Sequence, residues 1–349
     1  MKTLDKGKVM LIIISLLSVF LIISFVVIWV FIKNNRRLIR IIKYHQRKIK
    51  EKSQMKMQED KHNMNMVQRM IPVELFEFLQ IKDISEVSFE KQRQTETISM
   101  HINNNEFSRI VHSREAEKIF LFINQFLNEA IPQIYENGGV IEGFQEAGMT
   151  VLFFKEYDKA VVAAISIVEL LNELSMKKRE PHYDNFSIGL CYDNSIIGVV
   201  GHPERMSLLT LSAYTSGLSR WLQSIAEKYY AKILVTDSCV EKITDFQKKF
   251  HVRFLGYIYI KDTDRIEKIY DVFDGDEQEI RNRKRQTRMV FEKGVHLFSK
   301  QNYQEARQYF IDVLKTDHFD KAAKEYIYFC EYYLKETNEK RKVYLECYE

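Results

Sequence analysis

The sequence predicts an α/β sandwich with a transmembrane helix before it and a helical repeat after it. Three observations support this prediction. No charged residue occurs between Val9 and Ile32. From about 72 to 275, apolar residues follow helical and strand periodicities in alternation, which is the pattern of an α/β protein. Beyond a charged connector at 276 to 287, the chain has a helical pattern and many aromatic residues.

The composition fits a folded protein in a reducing compartment. The chain has 349 residues, of which 29% are charged and 13% aromatic, and its formal net charge is +4. This charge is small for the length and does not indicate a nucleic-acid partner. The cysteines lie at wide spacings that match neither a disulfide framework nor a zinc site: Cys191, Cys239, Cys330 and Cys347.

The apolar run from 9 to 32 predicts a single-pass membrane anchor. Its sequence is VMLIIISLLSVFLIISFVVIWVFI, and at about 1.5 Å per residue it exceeds a hydrocarbon core of about 30 Å. A cleaved signal peptide has a shorter apolar region and a small-residue cleavage site, and neither is present. More basic residues follow the run than precede it, so residues 1 to 8 are expected outside the cell membrane and the rest in the cytoplasm.

Residues 33 to 70 are predicted to form a basic juxtamembrane helix or linker. Leu38, Ile42 and Ile49 have coarse helical spacing, and Pro72 ends the pattern. A helix whose basic face contacts anionic lipid and a dimeric coiled coil both fit this segment. The heptad pattern is not sustained, which favours the lipid-facing helix.

The region from 71 to 275 contains two amphipathic helices and several strand patterns. One helix has an apolar face at Ile119, Ile123, Phe126, Leu127, Ile131 and Ile134, and a second is predicted over 160 to 174. GGVIEGFQEAGMTVLF, residues 138 to 153, predicts a β-hairpin with its turn centred on Ala147. FSIGLCYDNSIIGVVG predicts a strand, a turn at Asn194 and a second strand. AKILVTDSCVEKI predicts a strand entering a helix, and RFLGYIYIKDTDRIEKIYDVF predicts a closing hairpin.

The C-terminal part is predicted to be a linker (276 to 287), a helical repeat (288 to 336) and a tail (337 to 349). Gly294, Ala306 and Phe310 have the spacing of a tetratricopeptide repeat, in which glycine lets paired helices approach each other. The segment DKAAKEYIYFCEYYL predicts a further helix that caps the pair. A single repeat cannot bury its own apolar face, so it is expected to dock on the α/β domain or on a protein partner.

With its elements in this order, the region from about 70 to 275 resembles the homology domain of class III nucleotidyl cyclases, the adenylate and guanylate cyclases. Four segments carry the resemblance: MIPVELFEFLQIKDISEV, FINQFLNEAIPQIYENGGVIEGFQEAGMTVLF, IIGVVGHPERM and YIYIKDTDRIEKIYDVF. The resemblance implies a ferredoxin-like α+β sandwich. It also implies head-to-tail dimers in which each active site lies between two domains.

The metal-binding part of the implied site departs from the family pattern. Members of the family hold two metal ions with two aspartates. The matching positions here are Asn103, in ISMHINNNEFS, and Ala147, in GFQEAGM. An amide has no charge and a methyl group offers no ligand, so no metal site is expected. Glu146 and Glu106 are each displaced from a ligand position, and we expect both to be solvated, because a displacement of one residue in a strand turns a side chain to the opposite face.

The nucleotide-binding part of the implied site is also incomplete. In TLSAYTSGLSRWLQ, the positions for reading the base and orienting the ribose hold Ala213 and Ser216, and the position of the transition-state arginine holds Arg220. Lys261 falls where adenine-reading members have a lysine. Arg220 is therefore the candidate catalytic residue and Lys261 the candidate substrate-binding residue. A solvated surface charge is the alternative for each of them.

The sequence favours a membrane-anchored, catalytically inactive cyclase-homology protein that acts through a homodimer or a heterodimer with a cyclase domain. In that case no cofactor is expected. One alternative is an active adenylate cyclase with an atypical Mg²⁺ or Mn²⁺ site that uses Glu146 or Glu106. Another is a scaffold that binds a protein partner through the terminal repeat.

Overall fold

The computed structural model describes residues 24–25, 48, 75, 78–80, 91–178, 181–202, 205–212, 217–335 and 344–348. The chain divides into two compact units, 1–70 and 71–349, and most described residues belong to the second. Only Ser24 and Phe25 of the predicted membrane span are described, and the juxtamembrane prediction likewise falls outside the described residues except at Lys48. Among the described helices, none is both long and apolar enough to cross a bilayer.

The second unit alternates strands and helices along the chain. Its described strands are β1 (Gln92–Asn104), β2 (Val140–Gln145), β3 (Gly148–Phe153), β4 (Phe186–His202), β5 (Arg205–Ser212), β6 (Ile233–Thr236), β7 (Val252–Ile260), β8 (Arg265–Val272) and β9 (Glu346–Tyr348). Its described helices are α1 (Phe107–Ser113), α2 (Ala116–Glu136), α3 (Asp158–Lys178), α4 (Leu218–Ala226), α5 (Asp237–Glu241), α6 (Phe246–Lys249), α7 (Gln278–Ser299), α8 (Tyr303–Thr316) and α9 (Lys321–Lys335).

The strands form one mixed sheet in the order β2-β3-β1-β4-β6-β8-β7-β9, and β5 pairs with the distal part of β4. β1 pairs antiparallel with both β3 and β4. Its residues alternate between the two faces of the sheet because successive side chains of a strand point in opposite directions. Ile98, Met100 and Ile102 are completely buried in the core beneath α2 and α3. The intervening positions carry polar side chains on the other face.

Helices cover both faces of the sheet, as an α/β sandwich requires. On one face, Phe126 and Ile134 of α2 and Ile167 of α3 belong to the largest apolar core. On the other face, Leu222 of α4 and Phe291 of α7 belong to a second core. Complete burial of such a side chain contributes about 1.5 to 3 kcal/mol to the free energy of unfolding.

Two segments differ from the sequence prediction. The predicted turn at Asn194 does not exist, because β4 is one continuous strand. It pairs with β1 over most of its length, with β6 near its beginning and with β5 from Ser195 onward. Pairing of Asn194 with Glu96 of β1 keeps the backbone extended where local residue types favour a turn. The predicted linker is largely the first half of α7, which is helical because Lys284 and Thr287 are buried against the α/β domain.

The helices α7, α8 and α9 pack against each other and dock on β7. A side chain at Gly294 would lie 2.9 Å from the Phe310 ring, so glycine permits the close approach of α7 and α8. Gly256 has a φ of 150° at a bulge in β7, where an added Cβ would lie 2.3 Å from the Tyr326 hydroxyl of α9. That hydroxyl donates a hydrogen bond to the Leu255 carbonyl at 2.8 Å. Assignment of these helices to the tetratricopeptide class stays a prediction.

Candidate functional site

The hairpin of β2 and β3 is rigidly supported, and its turn consists of Glu146 and Ala147. Gly139, directly before β2, lies against the Phe153 ring. A Cβ added to Gly139 would lie 2.7 Å from Cζ of that ring. Glu146 adopts a left-handed conformation, with φ of 53°. For a residue other than glycine this conformation costs about 1 to 3 kcal/mol, and it survives only where the surrounding structure enforces it.

The two expected metal positions lie close to each other. Ile102 of β1 pairs with Met149 of β3, and an added Cβ on Gly148 would lie 2.9 Å from the Asn103 Cβ. The end of β1 therefore touches the hairpin turn, as a shared metal site would require. The side chains do not suit a metal ion, however. Asn103 Oδ1 accepts a hydrogen bond from the Asn104 amide at 2.8 Å, and the Ala147 methyl group is completely buried in the main core.

Glu146 lies on the same side as Asn103, contrary to the strand-alternation argument. Its Oε2 accepts a hydrogen bond from Asn103 Nδ2 at 3.2 Å, and its side chain is exposed. The alternation rule fails here because Glu146 belongs to the turn and has a left-handed backbone. Glu106 has other partners: an ion pair with Arg109 and a 2.7 Å hydrogen bond from Asn185 Nδ2. Within the described part of the chain, no three His, Cys, Asp or Glu side chains form a group that could hold a metal ion.

Arg220 lines a cavity of about 310 Å³ over the polar face of β1, β3 and β4. The residue is exposed near the beginning of α4, directly after the buried Ser219. The walls are formed by hydroxyl groups, an imidazole and carboxylates, including Ser99, His101 and Asp193. The cavity therefore combines a cation with several hydrogen-bonding groups in one concave surface.

His101 is the most perturbed side chain of this cavity. It is buried, and its Nδ1 lies 3.0 Å from the Thr150 hydroxyl. Burial, with a smaller contribution from the positive charge of Arg220, lowers the pKa of His101 to about 4. The imidazole is therefore neutral at physiological pH.

Several buried polar residues of this face were missed in the sequence analysis. Thr97 and Ser195 hydroxyls lie 2.8 Å apart, and the Ser99 and Ser219 hydroxyls 3.1 Å apart. Gln223 donates to Asn105 Oδ1 at 2.7 Å and so connects α4 to the end of β1. The sequence TETISMHINN does indicate a polar face of this strand, because polar residues alternate with apolar ones at every second position.

Lys261 lies apart from this cavity. Lys261 begins a 3-10 turn between β7 and β8 and is exposed. It is absent from the described walls of the Arg220 cavity. Ala213 and Ser216 lie outside the described residues. Asn103 thus lies beside the hairpin turn, and Arg220 lines the same cavity as His101. Lys261 lies at a separate turn.

Comparison with known proteins shows which fold the chain has. No family model matches the chain. Over 230 residues the chain is 26% identical to the terminal-differentiation specific adenylate cyclase of Dictyostelium discoideum. This alignment covers 64% of this chain and 11% of that protein. A bacterial light-regulated adenylyl cyclase has a similar structure, with a TM-score of 0.55 and 16% identity over 65% of each chain. The adenylyl cyclase CyaB of P. aeruginosa has a TM-score of 0.46 and 21% identity over 52% of this chain and 95% of that chain.

The chain is therefore similar in sequence to an adenylate cyclase over 230 residues, and it has the mixed α/β fold of a bacterial adenylyl cyclase. The match spans a small part of the Dictyostelium protein. Homology of a domain does not transfer an activity, because the activity depends on the residues of the site.

Proposed function

We propose that this chain is a membrane-anchored cyclase-homology signalling protein that makes no cyclic nucleotide by itself and acts by associating with a cyclase domain. One observation carries the proposal: an amide and a buried methyl group, Asn103 and Ala147, occupy the place where β1 meets the hairpin turn. Two-metal catalysis needs ligands that can hold and neutralise two divalent cations. These two side chains provide no negative charge.

The proposed mode of action uses Arg220 in a partner's active site. Its guanidinium is exposed beside a polar cavity and can reach a group presented by another molecule. In a head-to-tail dimer, each subunit can contribute different residues to a shared site. An arginine that meets the transferring phosphate stabilises charge that develops in the transition state. The chain would then complete a cyclase that supplies its own metal ligands.

The test begins with the purified full-length chain. We expect no cyclic nucleotide from ATP or GTP with Mg²⁺ or Mn²⁺. The tagged chain captured from its native membranes should carry cyclase activity. Arg220→Ala should lower that activity by about 10²-fold while the same proteins are captured. Robust turnover by the purified chain would overturn the proposal, and so would an Arg220→Ala complex with unchanged activity.

A second function has one observation in its favour. The Glu146 carboxylate lies 3.2 Å from the Asn103 amide, so one negative charge does lie beside the expected metal position. An active cyclase with an atypical metal site would use it. Purified chain would then turn over ATP with Mn²⁺, and Glu146→Gln would abolish the turnover. Glu156→Gln is the matched control, since Glu156 is exposed and has a left-handed backbone like Glu146 but does not line the Arg220 cavity.

A further inference from the structure

The C-terminal residues 344–348, here called the tail strand, run along the outer edge of β7. Ile258, Tyr259 and Ile260 pair in parallel with Glu346, Cys347 and Tyr348. The Leu345 amide donates a hydrogen bond to the Tyr257 carbonyl at 2.6 Å. An uncovered edge strand offers unpaired backbone groups to any extended peptide. The tail strand satisfies part of this edge.

Side chains of the tail strand make the docking specific to its sequence. Leu345 is buried in the second core, and the Tyr344 ring stacks on Tyr259 with centroids 5.4 Å apart. Glu346 accepts hydrogen bonds from the Tyr229 hydroxyl and from Lys228 Nζ. An apolar anchor, an aromatic stack and an acidic residue therefore match three different features of the surface.

Tyr348 extends this contact to the beginning of α4. Its ring lies 5.3 Å from the Trp221 ring, and an added Cβ on Gly217 would lie 2.7 Å from its hydroxyl. Gly217 therefore leaves the room that Tyr348 occupies. Burial raises the pKa of Tyr348; Asp262 raises it further, while the positive charge of Arg220 opposes this. Both charges thus lie within electrostatic range of the hydroxyl.

The position of Tyr348 relates it to both candidate nucleotide-binding residues. It pairs with Ile260, the residue before Lys261. It also contacts Gly217 and Trp221, which lie on either side of Arg220 in the chain. The tyrosine ring consequently lies between the end of β7 and the beginning of α4. Arg220 stays exposed beside it.

We infer that the edge of β7 and the beginning of α4 form a strand-docking groove whose occupant is the chain's own tail strand, and that this strand must leave before a partner can use the surface between Arg220 and Lys261. The inference that the tail strand must leave rests on the proposed function. The inference of a strand-docking groove does not. Strand addition to a sheet edge, with pockets for alternate side chains, is a recurring mode of peptide recognition. The contact consists of a three-residue ladder, one buried apolar anchor, two ring contacts and the hydrogen bonds of Glu346, which is the size of a short peptide bound by strand addition.

Trp221 reports whether the groove is occupied. The sequence has two tryptophans, so Trp29→Phe in the full-length chain leaves Trp221 as the only tryptophan, which can be excited selectively over the tyrosines. In this background, removal of residues 344–349 should increase acrylamide quenching of Trp221 several-fold and shift its emission to longer wavelength. Tyr328→Ala, which alters an exposed tyrosine on α9, is the matched control and should change neither property.

Adding the missing peptide separates loss of docking from loss of folding. A synthetic peptide of residues 343–349, VYLECYE, should restore the protection of Trp221 in the truncated chain. The same peptide with Tyr348→Ala should restore much less. Identical quenching of the intact and truncated chains, or a peptide that gives no protection, would overturn the groove.

Measurements of cyclase activity then test whether the tail strand must leave before a partner binds. In the complex captured from native membranes, truncation should raise the part of the cyclase activity that Arg220→Ala removes. If quenching responds to the peptide but activity does not respond to truncation, the groove stands and the release step is wrong. If Arg220→Ala also has no effect on the complex, the proposed function itself fails.

Discussion

At the residue scale, the methyl group of Ala147 decides what the hairpin turn can bind. The side chain is completely buried, so an aspartate there would lose hydration and destabilise the fold unless a cation compensates it. The double variant Asn103→Asp, Ala147→Asp should therefore melt at a lower temperature in EDTA, and Mn²⁺ should raise its melting temperature. Scanning calorimetry measures both. The control Asn103→Asp, Ala147→Asn has a similar shape without the second charge, and its melting temperature should respond less to Mn²⁺. If Mn²⁺ does not change the melting temperature of the double variant, these positions do not form a common site.

A second prediction at the residue scale concerns His101. Its pKa is lowered from 6.5 to about 4 in the folded chain, mainly by burial. The unfolded chain therefore binds more protons below pH 6.5, and the free energy of unfolding falls as the pH decreases toward 4. A shift of this size corresponds to a loss of about 3 kcal/mol across that window.

Urea denaturation between pH 7 and pH 4.5 measures this loss. His101→Gln should remove its share of the pH dependence, because glutamine does not titrate. His296→Gln, at an exposed position on α7, is the matched control. The assignment is contradicted if the two variants show the same pH dependence.

At the scale of elements, a buried ionic network joins the C-terminal helices to the sheet. Arg253 of β7 contacts Asp320, just before α9, at 2.5 Å and Asp271 of β8 at 3.3 Å, and all three side chains are completely buried. Lys284 of α7 contacts Asp271 at 2.9 Å and Asp276 at 2.7 Å. The helices are thus held to the sheet by charges that have no access to water.

Removal of one partner from this network should be costly. Asp320→Ala leaves Arg253 with Asp271, which it shares with Lys284, so we expect the free energy of unfolding to fall by about 3 to 5 kcal/mol. Asp312→Ala breaks the solvent-exposed pair with Lys315 on α8 and should lower the free energy of unfolding far less. Chemical denaturation of both variants provides the comparison. Equal losses would show that the network does not hold the two parts together.

At the scale of the whole molecule, the predicted membrane topology can be tested with a natural cysteine. Cys191, Cys239 and Cys330 are buried, whereas Cys347 in the tail strand is partly exposed. If residues 33 to 349 lie in the cytoplasm, a membrane-impermeant maleimide should label the chain only after the cells are permeabilised. Cys347→Ser should abolish the label. Labelling of Cys347 in intact cells would reverse the topology.

The sequence by itself determined two of the hairpins and the residue types at the positions proposed for a site. Period-two and helical patterns report which face of a local segment is buried, so the hairpin at 138 to 153 and the closing hairpin of β7 and β8 were predicted correctly. Residue types alone also show that Asn103 and Ala147 lack carboxylates. Both conclusions depend only on residues close together in the chain.

Only the tertiary structure decided which distant segments meet. Asn194 lies inside a strand because β1 pairs with it and β5 pairs with β4 from the next residue onward. Lys284 is buried where Asp271 and Asp276 contact it. The tail strand reaches β7 across about ninety residues of sequence. Such contacts depend on sheet order and register, which many residues determine together, so no local pattern records them. The same reason explains why Glu146 faces Asn103: its direction follows from the turn that the two strands impose.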